Sequence, residues 1–549
     1  MKALGDLAFT RGINSYDFHR FTHQPWLNRV PGMTMGKWGS TLERTNTWWD
    51  EGAAWIDYLR RCDYLLQKGL YVADLLYFDG LDIPNLGAVP SLKNGYAYDG
   101  CDEDVILHRL SVKDGRLTLP DGMSYRVLVL PATDRITPVL LRKIKELADA
   151  GATIVGPRPV ASPSLTDYPS GDEEVKRLAD EIWGSGKIVS DKSPEAVLSG
   201  LAVPPDFEAN APVQPLYIHR VAGDTDFYFV SNQEKANVDV DCAFRVTDKV
   251  PEFWHADTGK TEKVALYSEA ENRTHIPLHL DPAGSVFVVF RPRTAPMDHP
   301  VVVTRTGADP ASPPDSQLPA DVLSIADGGG YRLETWKPGD YEIKTAANKT
   351  LTRDVANVAA PMEVDGPWEL EFPPNWGAPS QVTLDKLLSW PGSTVPGVKY
   401  FSGTATYRKT LSIPEDMVGP GRRLYLDLGD VQVIARVRLN GKDLGVLWKP
   451  PYRTEITSLA KVGDNDLQVS VTNLWPNRVI GDDQLPEDCE WNANGSLKQW
   501  PQWLVDGKSS PTGRFTFATW KHYNRNSSLF PSGLIGPVRL LPAVEVDLH

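Results

Sequence analysis

Beyond about residue 205 the 549-residue chain carries no sustained i, i+3, i+4 apolar period, and that loss decides most of its architecture. In its place come short apolar runs separated by turn residues: PLYIHRV, DFYFVSN, VDVDCAFRV, THIPLHL and GSVFVVFRP, then TATYRKTLSI, RRLYLDLG, VQVIARVRLNGKDLGVLWK and NDLQVSVTN. Such spacing specifies antiparallel β-sandwiches. Two are expected, at 205–304 and 329–549, joined by a linker over 305–328 whose TGADPASPPDSQLP is rich in Pro, Ser and Asp. Asn440-Gly441 supplies the positive-φ pair of a tight hairpin turn.

Residues 70–204 read differently, as an open α/β domain. LYVADLLYF (70–78) and YRVLVLP (125–131) are near-continuous apolar runs, the mark of strands buried on both faces of a parallel sheet. Thr137 and Pro138 open a helix with Leu140, Leu141, Ile144, Leu147 and Ala148 on one face, Gly151 closes it, and ATIVGP returns as a strand. Before this domain come a short strand at 13–19, a long irregular loop and a helix over 53–68 ending at Gly69. The Trp55–Leu66 face of that helix is expected to pack on the α/β domain, leaving the 20–50 loop poorly protected.

The bulk numbers exclude several functions. A net charge of −14 argues against nucleic acid or an anionic membrane as partner. No apolar run approaches the ~20 residues that span a bilayer, and MKALGDLAFTRG lacks the apolar stretch of a secretory signal. Four scattered cysteines, Cys62, Cys101, Cys242 and Cys489, show no metal or disulfide spacing. Cys101 makes a poor amidotransferase-like nucleophile, because the acids of YDGCDEDV would raise its pKa. No phosphate-cradling glycine motif is present, which makes the α/β domain structural.

The informative composition is aromatic, 17 Trp and 19 Tyr, clustered at 26–58 and 491–523. Indole rings stack on the apolar faces of sugars while their N–H finds an acceptor. Isolated ones such as Trp254 are expected in cores. In the 18–52 stretch, His19, His23, Gln24 and Asn46 offer hydrogen bonds, and Trp26, Trp38, Trp48 and Trp49 offer platforms. Glu43 is the candidate catalytic carboxylate, against the alternative that it only shapes the loop. Glycosidases usually need two carboxyl groups, and here one stands out. A second sugar site is drawn at Trp491, Trp503, Trp520 and His522, with an interdomain staple as the competing reading of those rings.

The string GINSYDFHRFTHQPW…PGMTMGKWGSTLERTNTWW…AWIDYLRRCDYLLQKGLYVADLLYF resembles glycoside hydrolase family 106, and FYFVSN, PEFWHADTGK, GSVFVVFR and SGLIGPVRL fit the same family. The resemblance implies α-L-rhamnosidase activity on a rhamnose-containing glycan, with His19, His23, Gln24, Trp26 and Trp48 in the substrate pocket. It also implies a (β/α)₈ catalytic barrel, a calcium-assisted site, and a periplasmic or extracellular full-length relative. The closing domain resembles the galactose-binding-type jelly roll of family 2 glycoside hydrolases. A barrel takes ~250 residues, and only 69 precede the α/β domain. The fold class expected is therefore a multidomain α/β plus all-β protein: the C-terminal remnant of a barrel at 1–69, an open flavodoxin/amidotransferase-like domain at 70–204, and two sandwiches. On that reading the chain is a truncated glycosidase, inactive alone, with the main acid and base upstream of Met1. The alternative is a non-catalytic carbohydrate-binding or structural assembly.

Overall fold

A computed structural model describes residues 2–34, 42–81, 95–294, 297–307, 318–326 and 328–548. Residues 308–317 and 327 of the expected linker, and Trp38, lie outside the described residues.

The α/β unit is a five-stranded, all-parallel sheet in the order Ile188–Val189, Thr153–Val155, Val127–Val129, Leu75–Phe78, Tyr98–Cys101. Numbered along the chain this is 2-1-3-4-5, the flavodoxin-like doubly wound order. Helix Pro138–Asp149 forms as its sequence dictates: Thr137 accepts from the Leu140 N–H, Pro138 takes the first position, and the five apolar side chains are buried. Cys101 is buried, and desolvation followed by Asp79 and Asp102 pushes its thiol far above the ordinary range.

The LYVADLLYF run is two strands rather than one. Leu70–Tyr71 pairs antiparallel with Arg220 and Val221 of the first sandwich, and Leu75–Phe78 enters the parallel sheet. Asp74 marks the break. Its buried carboxylate receives Arg126 Nε at 3.0 Å and Arg245 Nη2 at 3.0 Å. Arg245 also reaches Asp206 at 3.2 Å, and Asp206 faces His219 Nδ1 at 3.1 Å. His219 Nε2 meets Asp226 at 3.0 Å, and the Tyr228 ring stacks on the imidazole at 3.8 Å.

The first sandwich pairs a four-stranded sheet (Phe207–Ala209, Val238–Phe244, Arg273–Leu280, Ser268–Ala270) with a six-stranded one containing Thr225–Ser231 and Ser285–Pro292. Those two central strands are buried along nearly their whole length although they are antiparallel. Tyr228, Val230, Val286, Val288 and Phe290 fill the sandwich core. Phe227, Phe229, Phe287 and Val289 face the other way, onto helices Lys2–Thr10 and Ala53–Leu66. Two-sided cover explains why FYFV and VFVVF show no polar alternation. The Tyr58, Leu59, Cys62, Leu65 and Leu66 face thus packs on the sandwich, correcting the expected contact with the α/β domain. The sandwich has the apolar outer sheet that could receive it, and each such side chain contributes roughly 1.5–3 kcal/mol on burial.

The closing sandwich sets strands such as Tyr331–Thr335, Arg539–Leu548 and Arg422–Asp427 against a sheet that includes Thr404–Ile413, Gly463–Thr472 and Ile434–Leu439. The hairpin at Asn440-Gly441 has φ of 51° and 76° with Leu439 opposite Lys442, as read from the dipeptide. Two boundaries shift. Strand Pro300–Thr306 crosses the expected 304/305 border to pair with Gly339–Thr345, and Val322–Ile325 is a strand within the expected linker.

The expected barrel strand at 13–19 is not formed. These residues pair with no strand, and a helix the sequence reading did not anticipate, Lys2–Thr10, precedes them. Tyr16 and Phe18 turn instead into a ring cluster, with Tyr16 stacked on Phe18 at 6.0 Å and its hydroxyl donating to Gly5 O at 2.6 Å. The described residues do not support a barrel remnant.

The His219 network makes stability depend on pH. Burial alone would lower the His219 pKa, but Asp206 and Asp226 outweigh it and raise it above the ordinary 6.5. Burial likewise works to raise Asp206 and Asp226, and His219 with its cationic neighbours holds both below 3.8. The imidazolium contribution is therefore complete below pH 6.5 and lost as pH rises through the raised value. The carboxylate contribution is complete above pH 3.8 and lost as pH falls through the lowered values. His219→Gln should cost about 1–3 kcal/mol by removing one charged partner from each carboxylate, leaving Asp206 to Arg245 and Asp226 to Lys249, and in urea unfolding it should abolish the alkaline part of this pH dependence.

Candidate functional site

The opening stretch is irregular in backbone but tightly bonded. Gln24 is buried, its Nε2 donating to the carbonyls of Pro31 at 3.2 Å and Met33 at 2.9 Å, and its Oε1 accepting from Met33 N at 2.7 Å. Gly32 crosses this clamp at φ +82°, where an added Cβ would stand 2.2 Å from Gln24 Oε1. Only glycine fits such a position.

Glu43 is fully buried. Its Oε2 accepts from Thr45 N at 2.6 Å and its Oε1 from Thr45 Oγ1 at 2.5 Å, while Trp475 Nε1 donates to Thr45 O at 3.1 Å. Both carboxylate oxygens of Glu43, expected as the catalytic candidate, are thus engaged by Thr45 within the turn. Gln24 is likewise withdrawn from substrate by its own backbone bonds.

The remaining sequence-predicted residues divide into two groups. His19 and His23 are exposed. Trp26 and Trp48 are half-buried, Trp26 against Trp500 at 5.2 Å and Trp48 against Trp55 at 6.3 Å. An aromatic series runs outward from the sandwich core: Phe229, Phe9, Tyr16, Phe18, Trp55, Trp48 and Trp49, with successive centroids 5.0–6.3 Å apart. It ends at the surface, where Trp49 and Phe21 are 37% and 63% exposed.

The second proposed sugar site meets this stretch directly. Pro31–Gly32 pairs parallel with Phe517–Ala518. Thr34 N donates to Thr519 Oγ1 at 2.8 Å, Thr519 Oγ1 donates to Thr34 O at 3.0 Å, and His522 Nε2 lies 3.1 Å from Thr34 Oγ1. Partial burial lowers the His522 pKa below its ordinary 6.5, leaving a neutral ring. Trp503 packs on Phe517 with Arg29 over its own ring at 5.8 Å. Trp491 and Trp503 donate their indole N–H to Glu487 Oε2 at 3.0 Å and Asp488 O at 3.1 Å. The cavity among Trp491, Trp503, Trp520 and Asp488 measures about 30 Å³, roughly one water's share of volume. Burial, with Asp488 beside it, pushes the adjoining Cys489 thiol up to about 12, so it is no nucleophile. Trp500 against Trp26 and Trp503 beneath Arg29 tie the opening stretch to the closing sandwich.

Missed by the sequence reading were Thr34, Thr519 and Phe517, whose pairing joins positions nearly 500 residues apart and has no local signal. Trp254 is half-buried rather than a core residue, its Nε1 donating to Glu252 at 2.8 Å. For the calcium implied by resemblance, no three His, Cys, Asp or Glu side chains converge as ligands among the described residues. Glu43 is already engaged.

Residues 1–269 match the Glyco_hydro_106 model, described as alpha-L-rhamnosidase. The resemblance to glycoside hydrolase family 106 thus holds over these residues. The fold of a rhamnosidase from Novosphingobium sp. PP1Y is similar over 98% of this chain, at 31% identity and a TM-score of 0.77. A Formosa agariphila protein provisionally named beta-glucuronidase is 30% identical over the full length of this chain. The chain spans 62% of the Formosa protein and 46% of the Novosphingobium one.

Gly32→Ala should force the Gln24 clamp open, at a cost of at least ~1–2 kcal/mol for the left-handed backbone alone. Hydrogen exchange should then quicken at the Met33 and Phe517 amides, whose acceptors are Gln24 and Val30, and stay unchanged in the α/β sheet.

Proposed function

We propose that this chain serves in the handling of α-L-rhamnosides of plant or microbial polysaccharides, with the opening stretch as one wall of a sugar pocket and the sandwiches as its support. The observation that carries the reading is that the 18–52 loop falls inside the alpha-L-rhamnosidase family match while Gln24 clamps its Pro31–Met33 turn and His19, His23, Phe21 and Trp49 face outward. Clamping from within lets exposed groups meet a ligand without first being ordered, which lowers the entropic cost of binding. His19 and His23 would hydrogen-bond sugar hydroxyls, and Trp49, next to Trp48, would lie against a ring face.

Cleavage is a separate matter. Hydrolysis calls for an acid and a base or nucleophile flanking the glycosidic bond, and Glu43 is closed off by Thr45. This favours the second reading, in which the chain by itself holds a rhamnose-containing glycan without cutting it. The chain incubated with an aryl α-L-rhamnoside should release no aryl alcohol above background. Turnover of ordinary glycosidase size, about 1–10³ per second, would restore a catalytic carboxylate to this chain. Calorimetric titration with a rhamnose oligosaccharide should give heat that His19→Ala and His23→Ala each reduce, by about 0.5–1.5 kcal/mol of binding free energy. Titration without heat would remove the rhamnoside reading altogether.

A further inference from the structure

Helix Ala53–Leu66 gives its apolar face to the first sandwich, and its shoulder looks onto the segment that carries Trp254, His255 and Lys260. Between them lies a cavity of about 370 Å³ lined by Arg60, Arg61, Tyr64, Trp254, His255 and Lys260. That volume lies within the ~300–1,000 Å³ of small-ligand sites, and far exceeds the cavity at Trp503.

The charge here runs against the rest of the molecule. On a chain of net charge −14, this cavity brings three permanent cations together. Arg60 pairs with Asp57 at 3.0 Å, and Lys260 pairs at 2.6 Å with the half-buried Glu262, which also meets His255 Nε2 at 2.9 Å. Arg61 is different. Its Nη1 donates to the carbonyls of Ala256 at 2.9 Å and Asp257 at 3.2 Å. The Asp257 carboxylate is turned to Lys449 at 2.9 Å. Among the described residues no ion pair neutralises Arg61, so its guanidinium is fixed in place by neutral oxygens. Gly259 keeps the segment close: an added Cβ there would stand 3.1 Å from Arg61 Nε. Most of the cavity wall is carbon, from Trp254, Tyr64, Leu65, Ala256 and the aliphatic stems of the long cations.

We propose that this cavity is an accessory binding site for a uronic acid, distinct from the opening stretch. The pyranose would lie with its C–H face against the aromatic wall, and its carboxylate would be held by the fixed guanidinium of Arg61, whose planar N–H fork matches carboxylate geometry. A neutral hexose has the ring without the charge, and a simple anion has the charge without the ring. The site as built calls for both.

The test uses the whole chain, followed by tryptophan fluorescence and calorimetry, with D-glucuronate, D-glucose and acetate as probes. Glucuronate should bind at least about tenfold more tightly than glucose or acetate, and added salt should weaken it. Arg61→Gln and Tyr64→Ala should each weaken glucuronate about tenfold. Tyr64 is 61% exposed, so Tyr64→Ala should leave the melting temperature unchanged and decides the matter if Arg61→Gln fails to fold. Equal affinity for glucose and glucuronate, saturation by acetate with the same affinity, no response to any probe, or a Tyr64→Ala variant that binds like the parent would each overturn the assignment.

Discussion

One run of ion pairs joins the parallel sheet to the first sandwich, and the positions of everything else follow from it. Arg126 and Arg245 converge on Asp74, Arg245 reaches on to Asp206, and Asp206 with Asp226 encloses His219. Apart from Arg126, whose side chain is 36% exposed, each charge lies where water has little access and is tolerable because its neighbours satisfy it. Asp74 sits between the strand that ends in the sandwich and the strand that begins the parallel sheet. Tyr217 donates to Gly95 O at 2.8 Å and Val72 N to His219 O at 3.0 Å, so the two differently built units are joined at several points around it. Loss of any member leaves a buried charge unpaired, which is why such pairs are costly to break even where they add little net stability.

From that joint the outer sheet of the sandwich is presented to two helices, and the helices carry the opening stretch. Phe9 packs on Phe229 and leads through Tyr16, Phe18 and Trp55 to Trp48 and Trp49, so the loop's rings are anchored in a core rather than merely exposed. The closing sandwich grips the same loop from another side through Phe517, Thr519 and Trp475, and Arg436 pairs with Glu51 at 3.1 Å. The described parts of the loop are thus held from two sides, by the helices and by the closing sandwich. That is the condition for a preorganised binding surface.

Within the loop, residue type revealed the chemistry available but not the direction it faces. His19 and His23 are outward as a binding role requires, while Gln24 and Glu43, equally polar in the sequence, are spent on Met33, Pro31 and Thr45. A carboxylate two residues before a threonine can serve a turn or a substrate, and composition does not separate the two. The tryptophans at 491–520 pose the same ambiguity. Trp500 meets Trp26 and Trp503 meets Arg29 across the interface, while Trp491 and Trp503 donate to Glu487 and Asp488 within the closing sandwich.

The sequence by itself determined what is local. The capped helix Pro138–Asp149, the Asn440-Gly441 hairpin, the alternating strand Arg273–Leu280 and the α/β character of the region after residue 70 all rest on interactions within a few residues. Their causes, capping, positive φ and one-sided burial, are readable from neighbours along the chain. Only the tertiary structure decided which surfaces meet. It split LYVADLLYF at Asp74, turned helix Ala53–Leu66 toward the sandwich and left 13–19 unpaired. It also joined Pro31 to Phe517 across the length of the chain. The physical reason is that burial is non-directional: an apolar face requires a partner, but nothing in its own sequence specifies which of several apolar faces that partner will be.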